Sequence, residues 1–275
     1  MLIQLLKALC IGIIEGVTEW LPVSSTGHMI LADKLLELGV SAEFFEVFLV
    51  VIQLGAVLAV AVMYFGTLFP LKLARGARPS LKRDCLSLWG KCLVACVPAA
   101  VIGLLFDDKL NELFYNHITV AATLIFYGIL FIIVENVSKK NRVVTDAHDI
   151  TYKTALYIGL FQVLSLIPGT SRSGATILGA MLLGVSRSVS AEFSFFLALP
   201  VMAGAGLLKL AKFGLRFTAP ELAILLTGAL SAFAVSLAAI KFLTGYVRRH
   251  DFKPFGVYRI ALGIAVLSFY FFSER

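Results

Sequence analysis

Charge is what this sequence has least of. Asp, Glu, Lys and Arg make up 15% of its 275 residues, against about 25% in soluble domains. Cysteine is equally sparse. Cys10, Cys85, Cys92 and Cys96 form no C-x-x-C pair, which excludes a disulfide scaffold and reads as small buried hydrophobes rather than a metal site. No G-x-x-x-x-G-K-[ST] phosphate loop is present, so a nucleotide-driven machine is excluded. The first fourteen residues carry one Lys and no small-residue cleavage pattern, and Glu15 interrupts them, so no cleavable leader is expected there.

What the sequence does contain is apolar surface. Hydrophobic residues reach 59% and the mean hydropathy is +0.92, more than one soluble core of this length can hide. An integral membrane protein is left. Its net charge of +7 is then first a topology signal and argues against nucleic acid as a partner. A crossing takes about 20 mostly apolar residues, and six stretches qualify: 44–65, 86–106, 117–136, 190–211, 220–243 and 254–272. Two further apolar regions are interrupted. Region 2–38 is broken by Glu15, Glu19, Pro22, Ser24-Ser-Thr-Gly27 and His28, and region 154–185 by Pro168-Gly-Thr-Ser-Arg-Ser-Gly174. Their arms are too short to cross but long enough to reach the midplane, so both read as re-entrant helical hairpins with tips inside the protein.

The interrupted regions resemble each other. Ile11-Gly12 matches Ile158-Gly159, Glu15 matches Gln162, and Ser24-Ser25-Thr26-Gly27 matches Ser171-Arg172-Ser173-Gly174, all 147 residues apart. The expected fold is therefore all-α and integral to the membrane: one domain over 1–275 made of two repeats, 1–137 and 150–275, each a hairpin plus three transmembrane helices. An odd number of crossings per half makes the repeats inverted in topology. Loops on one side hold twelve basic residues (Lys72, Arg75, Arg78, Lys82, Arg83, Lys139, Lys140, Arg142, Lys153, Arg248, Arg249 and Lys253), and the other side holds four (Lys109, Lys212, Arg216 and Arg275). The richer side is expected to be cytoplasmic, which puts both termini and the mouth of the first hairpin outside.

Ionisable groups at membrane depth cost about 2.5–3.5 kcal/mol each on insertion scales. Glu15, Glu19 and Arg172 should therefore sit together, either as a structural ion pair or as a working site. Glu15 and Glu19 share a helix face, where two carboxylates repel unless a cation lies between them. Mg²⁺ bound by one or two carboxylates plus substrate phosphate oxygens would suit them. Ser24, Ser25, Thr26, Gly27 and His28 supply hydroxyls, a turn and an imidazole. They either cap a helix or form a catalytic loop in which Ser25, or His28 itself, attacks phosphorus while Ser24, Thr26 and Gly27 contact the phosphate. Ser171, Arg172, Ser173, Gly174 and Thr176 open a helix as a nest suited to phosphate. Glu46 and Glu192 begin spans as matched helix-terminus residues.

Glu15-Gly-Val-Thr-Glu19-Trp-Leu-Pro-Val-Ser-Ser-Thr-Gly-His28 and Pro168-Gly-Thr-Ser-Arg-Ser-Gly-Ala-Thr176 resemble the paired signature motifs of the bacterial undecaprenyl-diphosphate phosphatases, also called bacitracin resistance proteins. Phe45-Glu46 through Gln53-Leu54-Gly55 and Glu192-Phe-Ser-Phe195 extend the likeness through nearly the whole chain. The resemblance implies a multi-pass protein of the bacterial plasma membrane that removes the terminal phosphate of undecaprenyl diphosphate and so recycles the lipid carrier of cell-wall synthesis. It implies a divalent cation, Mg or Ca, and makes Glu15 and Glu19 the acidic pair, Ser24 to His28 the catalytic loop and Arg172 the phosphate-binding arginine. Partners expected are the lipid substrate, membrane lipid and, as an option, a second copy in a homodimer. The acid-phosphatase-like lipid phosphatases are excluded. Their K-x₆-R-P is one residue short at Lys72 to Arg78-Pro79, and their last His falls on Leu178. The rival from another class is a secondary transporter or flippase of a phosphorylated polyprenyl lipid, since inverted repeats with broken helices are transporter architecture too.

Overall fold

Helices account for nearly all of the chain that the computed structural model describes, residues 1–72, 80–138, 143–214 and 216–273. The six long ones fall on the six apolar stretches: α3 (Ala42–Met63), α5 (Arg83–Phe114), α6 (His117–Val137), α9 (Arg187–Phe213), α10 (Ala219–Val247) and α11 (Lys253–Ser273). Each is long and apolar enough to cross a bilayer. The starts of four of them are fixed by side chains that accept an otherwise unbonded backbone N–H. Ser41 takes the amide of Phe44, Asn116 that of Thr119 and Ser186 that of Val189, while Thr218 and Glu221 form a reciprocal capping box. Large apolar side chains point outward from these helices, with Leu104, Leu230 and Phe272 each at least 65% exposed. Exposure on that scale suits lipid and not water. The chain is an all-α, multi-pass membrane protein.

Four shorter helices carry the interrupted regions: α1 (Leu2–Thr18), α2 (Ser25–Leu36), α7 (Tyr152–Val163) and α8 (Arg172–Leu182). A proline, Pro22 or Pro168, stands in each break. It has no N–H to continue a helix and pushes the preceding residue into extended backbone; Ile167, just before Pro168, sits at φ −84°, ψ 119°. The all-α expectation misses one detail, a single helical turn α4 (Phe65–Leu68) followed by a two-residue ribbon of β1 (Leu71–Lys72) and β2 (Ser80–Leu81). Arg75, Arg78, Lys139, Lys140, Arg142 and Arg275, which entered the loop-charge comparison, lie outside the described residues.

Packing is close where side chains are smallest. α1 lies along α10 and α7 along α5, while α6 pairs with α11 and α3 touches both α9 and α10. A Cβ on Gly12 would strike Gly228 and Ser231 of α10, and one on Gly159 would strike Ala95 of α5. Such contacts let helix backbones approach in a medium that offers no hydrophobic drive between helices.

One buried charge holds three helices. Glu135 of α6 has no exposure and receives Nε and Nη2 of Arg187 from the first turn of α9 at 2.7–3.0 Å. The amide of Phe252, just before α11, also donates to it at 3.0 Å. Removing one partner of a buried pair costs about 3–5 kcal/mol. Because Arg187 is 23% exposed, Glu135→Ala is expected at the low end, about 3 kcal/mol, read as a lower melting temperature of the detergent-solubilised protein.

Candidate active site at the helix breaks

Glu19 ends α1: its amide bonds Glu15 O at 3.0 Å, and its side chain faces the second break. Oε1 receives Nη2 of Arg172 at 2.9 Å and Nε at 3.3 Å, joining residues 153 apart in sequence. Oε2 receives the hydroxyl of Ser25 at 2.8 Å. The remaining nitrogen of Arg172, Nη1, donates to Ser194 O of α9 at 2.8 Å. Glu19 is 6% and Arg172 10% exposed, so this ion pair is largely out of water, where charge-assisted hydrogen bonds are strong.

Glu15 lies one turn deeper and is buried, and its Oε1 has no hydrogen-bond partner. Of the two carboxylates, then, Arg172 bonds one. Gln162, the residue matched to Glu15 in the second region, is likewise buried with both side-chain polar atoms unpartnered.

Two serines shape the tips. Ser24 and Ser171 hold the left-handed backbone that L residues rarely adopt, at φ 71° and 72°. Each caps the helix that follows, Ser24 Oγ accepting from Gly27 N at 3.3 Å and Ser171 Oγ from Gly174 N at 3.1 Å. Ser173 donates across the gap to Glu19 O at 3.1 Å, and Thr176 donates to Ser194 Oγ at 2.8 Å. Ser24, Gly27, Ser173, Gly174 and Thr176 are buried, whereas Ser25, Thr26, His28, Ser171 and Arg172 are partly exposed. The accessible face of the cluster is that second set.

His28 stands one turn along α2. Its Nδ1 faces Ser24 O at 2.7 Å, so that nitrogen carries the proton, and a neutral ring then presents Nε2 as acceptor to the Tyr258 hydroxyl at 2.7 Å. Tyr258 was not foreseen, because a Tyr inside an apolar span gives no signal in sequence, and Ser194 entered only as part of the Glu192-Phe-Ser-Phe195 likeness, with no role at the site. Arg259, which is buried beside the tips, had one: an arginine inside span 254–272 is flagged by the rule that flagged Glu15. His117 and His250 stack on Tyr270 and Tyr246, and Glu46 pairs with Lys209 at the surface, all away from this cluster.

The donor set suits a hard cation only in part. Among the described residues no three His, Cys, Asp or Glu side chains cluster. Glu15 has an uncommitted oxygen, and both oxygens of Glu19 are engaged. One carboxylate with a second beside it fits Mg²⁺ or Ca²⁺ when substrate oxygens complete the shell.

The profile of the family described as bacitracin resistance protein BacA matches residues 8–265. An undecaprenyl-diphosphatase of Acetivibrio thermocellus is 58% identical over 275 residues, all of both chains. Undecaprenyl-diphosphatase 1 of Clostridium acetobutylicum is 57% identical over 98% of each chain, and an undecaprenyl-diphosphatase of Enterococcus faecalis is 56% identical over 96% of each. Similarity that spans both helix breaks and runs almost end to end leaves no doubt of kinship: the chain belongs to the bacitracin resistance protein BacA family.

Proposed function

We propose that the chain is an undecaprenyl-diphosphatase whose reacting groups are Ser25, Glu19 and Arg172. It hydrolyses undecaprenyl diphosphate to undecaprenyl phosphate and inorganic phosphate, the activity for which its relatives are named; those names support hydrolysis and not transport alone. One observation carries the assignment of residues: a single carboxylate, Glu19, holds the Ser25 hydroxyl at 2.8 Å on one oxygen and Arg172 at 2.9 Å on the other.

In this reading Ser25 Oγ attacks the terminal phosphorus while its proton passes to Glu19. The bond from that phosphorus to the bridging oxygen breaks, and undecaprenyl phosphate leaves. Glu19 passes that proton to the departing bridging oxygen, then takes a proton from the water that attacks the phosphoserine and returns it to Ser25 Oγ as inorganic phosphate is released. Arg172, Ser171, Thr26 and the amides opening α8 steady the equatorial oxygens, which is the main task in phosphoryl transfer. Ser25 is favoured over His28 as nucleophile because Nε2 of His28 is occupied by Tyr258. The phosphate-contacting role expected of Ser24, Ser173, Gly174 and Thr176 becomes a bracing one, since all four are buried and bonded within the protein or packed against it. A divalent cation, Mg or Ca, would be held by Glu15 with Glu19 beside it and would supply charge neutralisation of the diphosphate.

The site is proposed to lie where two re-entrant hairpins of inverted repeats 1–137 and 150–275 meet, opening to the outer face. Support comes from the shared backbone of Ser24 and Ser171 and from packing that is the same under exchange of halves, α1 on α10 as α7 on α5. The twelve-to-four bias of basic loop residues supports the sidedness. The test of the whole reading is phosphate release from a diphosphorylated polyprenol by the purified protein. Activity is expected, with loss in EDTA and recovery on adding Mg²⁺ or Ca²⁺; indifference to EDTA would remove the metal, and no release would remove the phosphatase. An impermeant thiol reagent reaching a cysteine placed at Leu2 from outside the cell would support the orientation, and protection would reverse it.

A further inference from the structure

Arg259 lies two turns into α11, inside a span, with no exposed surface. No carboxylate among the described residues bonds it. Its guanidinium instead reaches carbonyls of both helix breaks: Nη1 donates to Pro22 O at 3.2 Å, and Nη2 to Gly169 O and Thr170 O at 2.9 Å each. The ring of Tyr127 from α6 lies 5.7 Å from its Cζ. These three carbonyls belong to residues outside any helix, so no helical N–H serves them, and bare carbonyls at membrane depth need donors from elsewhere in the protein. Thr123 of α6 supplies a fourth link, donating to Pro168 O at 2.7 Å.

The positions held are the ones next to the chemistry. Pro22 is three residues before Ser25, and Thr170 two before Arg172. We propose that Arg259 is a positioning residue for phosphoryl transfer, one guanidinium that clamps the carbonyls of both breaks and thereby sets the spacing between Ser25 and Arg172. Being fully buried, it touches no reacting atom. The inference rests on the reading of Ser25 and Arg172 given above. The rigid five-donor fork of arginine reaches carbonyls on two chain segments at once, whereas a lysine ammonium is a compact point charge on a flexible stem. Misplacement by about 1 Å can cost about 100-fold in rate.

The test compares Arg259→Lys and Arg259→Gln with the wild type in two measurements on the purified full chain: steady-state phosphate release, and hydrogen exchange of peptides covering 19–27 and 168–175. In the Lys variant kcat is expected to fall about 10- to 100-fold with KM changed less than about threefold. Exchange should rise in both breaks together and stay as in the wild type in α3 and α10. The Gln variant should follow the same pattern further. A merely structural role would raise exchange throughout and leave kcat per folded molecule unchanged, and that result, or wild-type kcat with unchanged exchange in the breaks, overturns the proposal. Should both variants fail to fold, Thr123→Val loosens the second break alone, and raised exchange confined to 168–175 with lowered kcat is expected; no change in either would count against the clamp. A wild type that releases no phosphate would refute the phosphatase, while the exchange data would still decide whether Arg259 holds both breaks.

Discussion

Phosphate release is expected to fall by about 10⁴-fold in Ser25→Ala and by a similar factor in Glu19→Ala, with the double variant little worse than either. The two residues share one hydrogen bond, 2.8 Å from hydroxyl to carboxylate, and a nucleophile without its base, or a base without its nucleophile, disables the same step. Groups that act as a unit are strongly non-additive. Two independent contributions would instead multiply, and a double variant far below both singles would show that Glu19 and Ser25 do not work as a pair. The rival nucleophile is separated by the trapped intermediate. Attack by Ser25 leaves an acid-stable phosphate ester, and attack by His28 an acid-labile phosphoramidate. Substantial activity in Ser25→Ala, with label lost in acid, would move the assignment to His28 and require Tyr258 to give up Nε2.

The same pair shows what the sequence of such a chain discloses by itself. The six long helices were legible because a bilayer demands a run of apolar residues, and helices such as α6 begin at the capping residue next to that run. Glu19 and Arg172 were legible because a charge among apolar residues is expensive enough to require a partner, and Ser25 because it stands in a run of hydroxyls that interrupts an apolar region. Their geometry was not. That Arg172 takes Glu19 and leaves Glu15 without it depends on where α1 ends, and the sequence around Thr18 does not encode that end strongly. Arg259, Glu135 and Lys91 were passed over for a different reason. A span identified by average hydropathy absorbs a single charge, and the groups that satisfy Arg259 and Lys91 are backbone carbonyls, at Pro22, Gly169, Thr170 and His148, which have no signature in side chains. The hydroxyls expected to contact phosphate show a similar gap. Ser and Thr at the start of a helix satisfy backbone amides as readily as they satisfy substrates, and at Ser24 and Ser171 the helix takes the bond.

Arg172→Lys is expected to lower kcat by about 10²–10³-fold, the range seen when one charge-stabilising donor is removed from a reacting centre, with KM changed much less. The guanidinium divides its nitrogens between Glu19 and Ser194 O, so its plane is fixed before substrate arrives. A lysine keeps the charge but not the fork. Arg172→Ala carries a second effect that has to be separated from the first. It leaves Glu19 buried without its cation, and breaking a buried pair destabilises by about 3–5 kcal/mol. Adding Glu19→Gln removes the stranded charge, so Arg172→Ala/Glu19→Gln is expected to regain most of the lost melting temperature while phosphate release stays at the level of the single variants or below. Recovery of stability and activity together would mean that the Glu19–Arg172 pair serves only to hold α1 against α8. Recovery of stability alone would trace the lost melting temperature to the stranded carboxylate, and Arg172→Lys, which leaves Glu19 in place, then reads the share of the arginine in the transition state, where its fork would meet the oxygens of the transferred phosphoryl group.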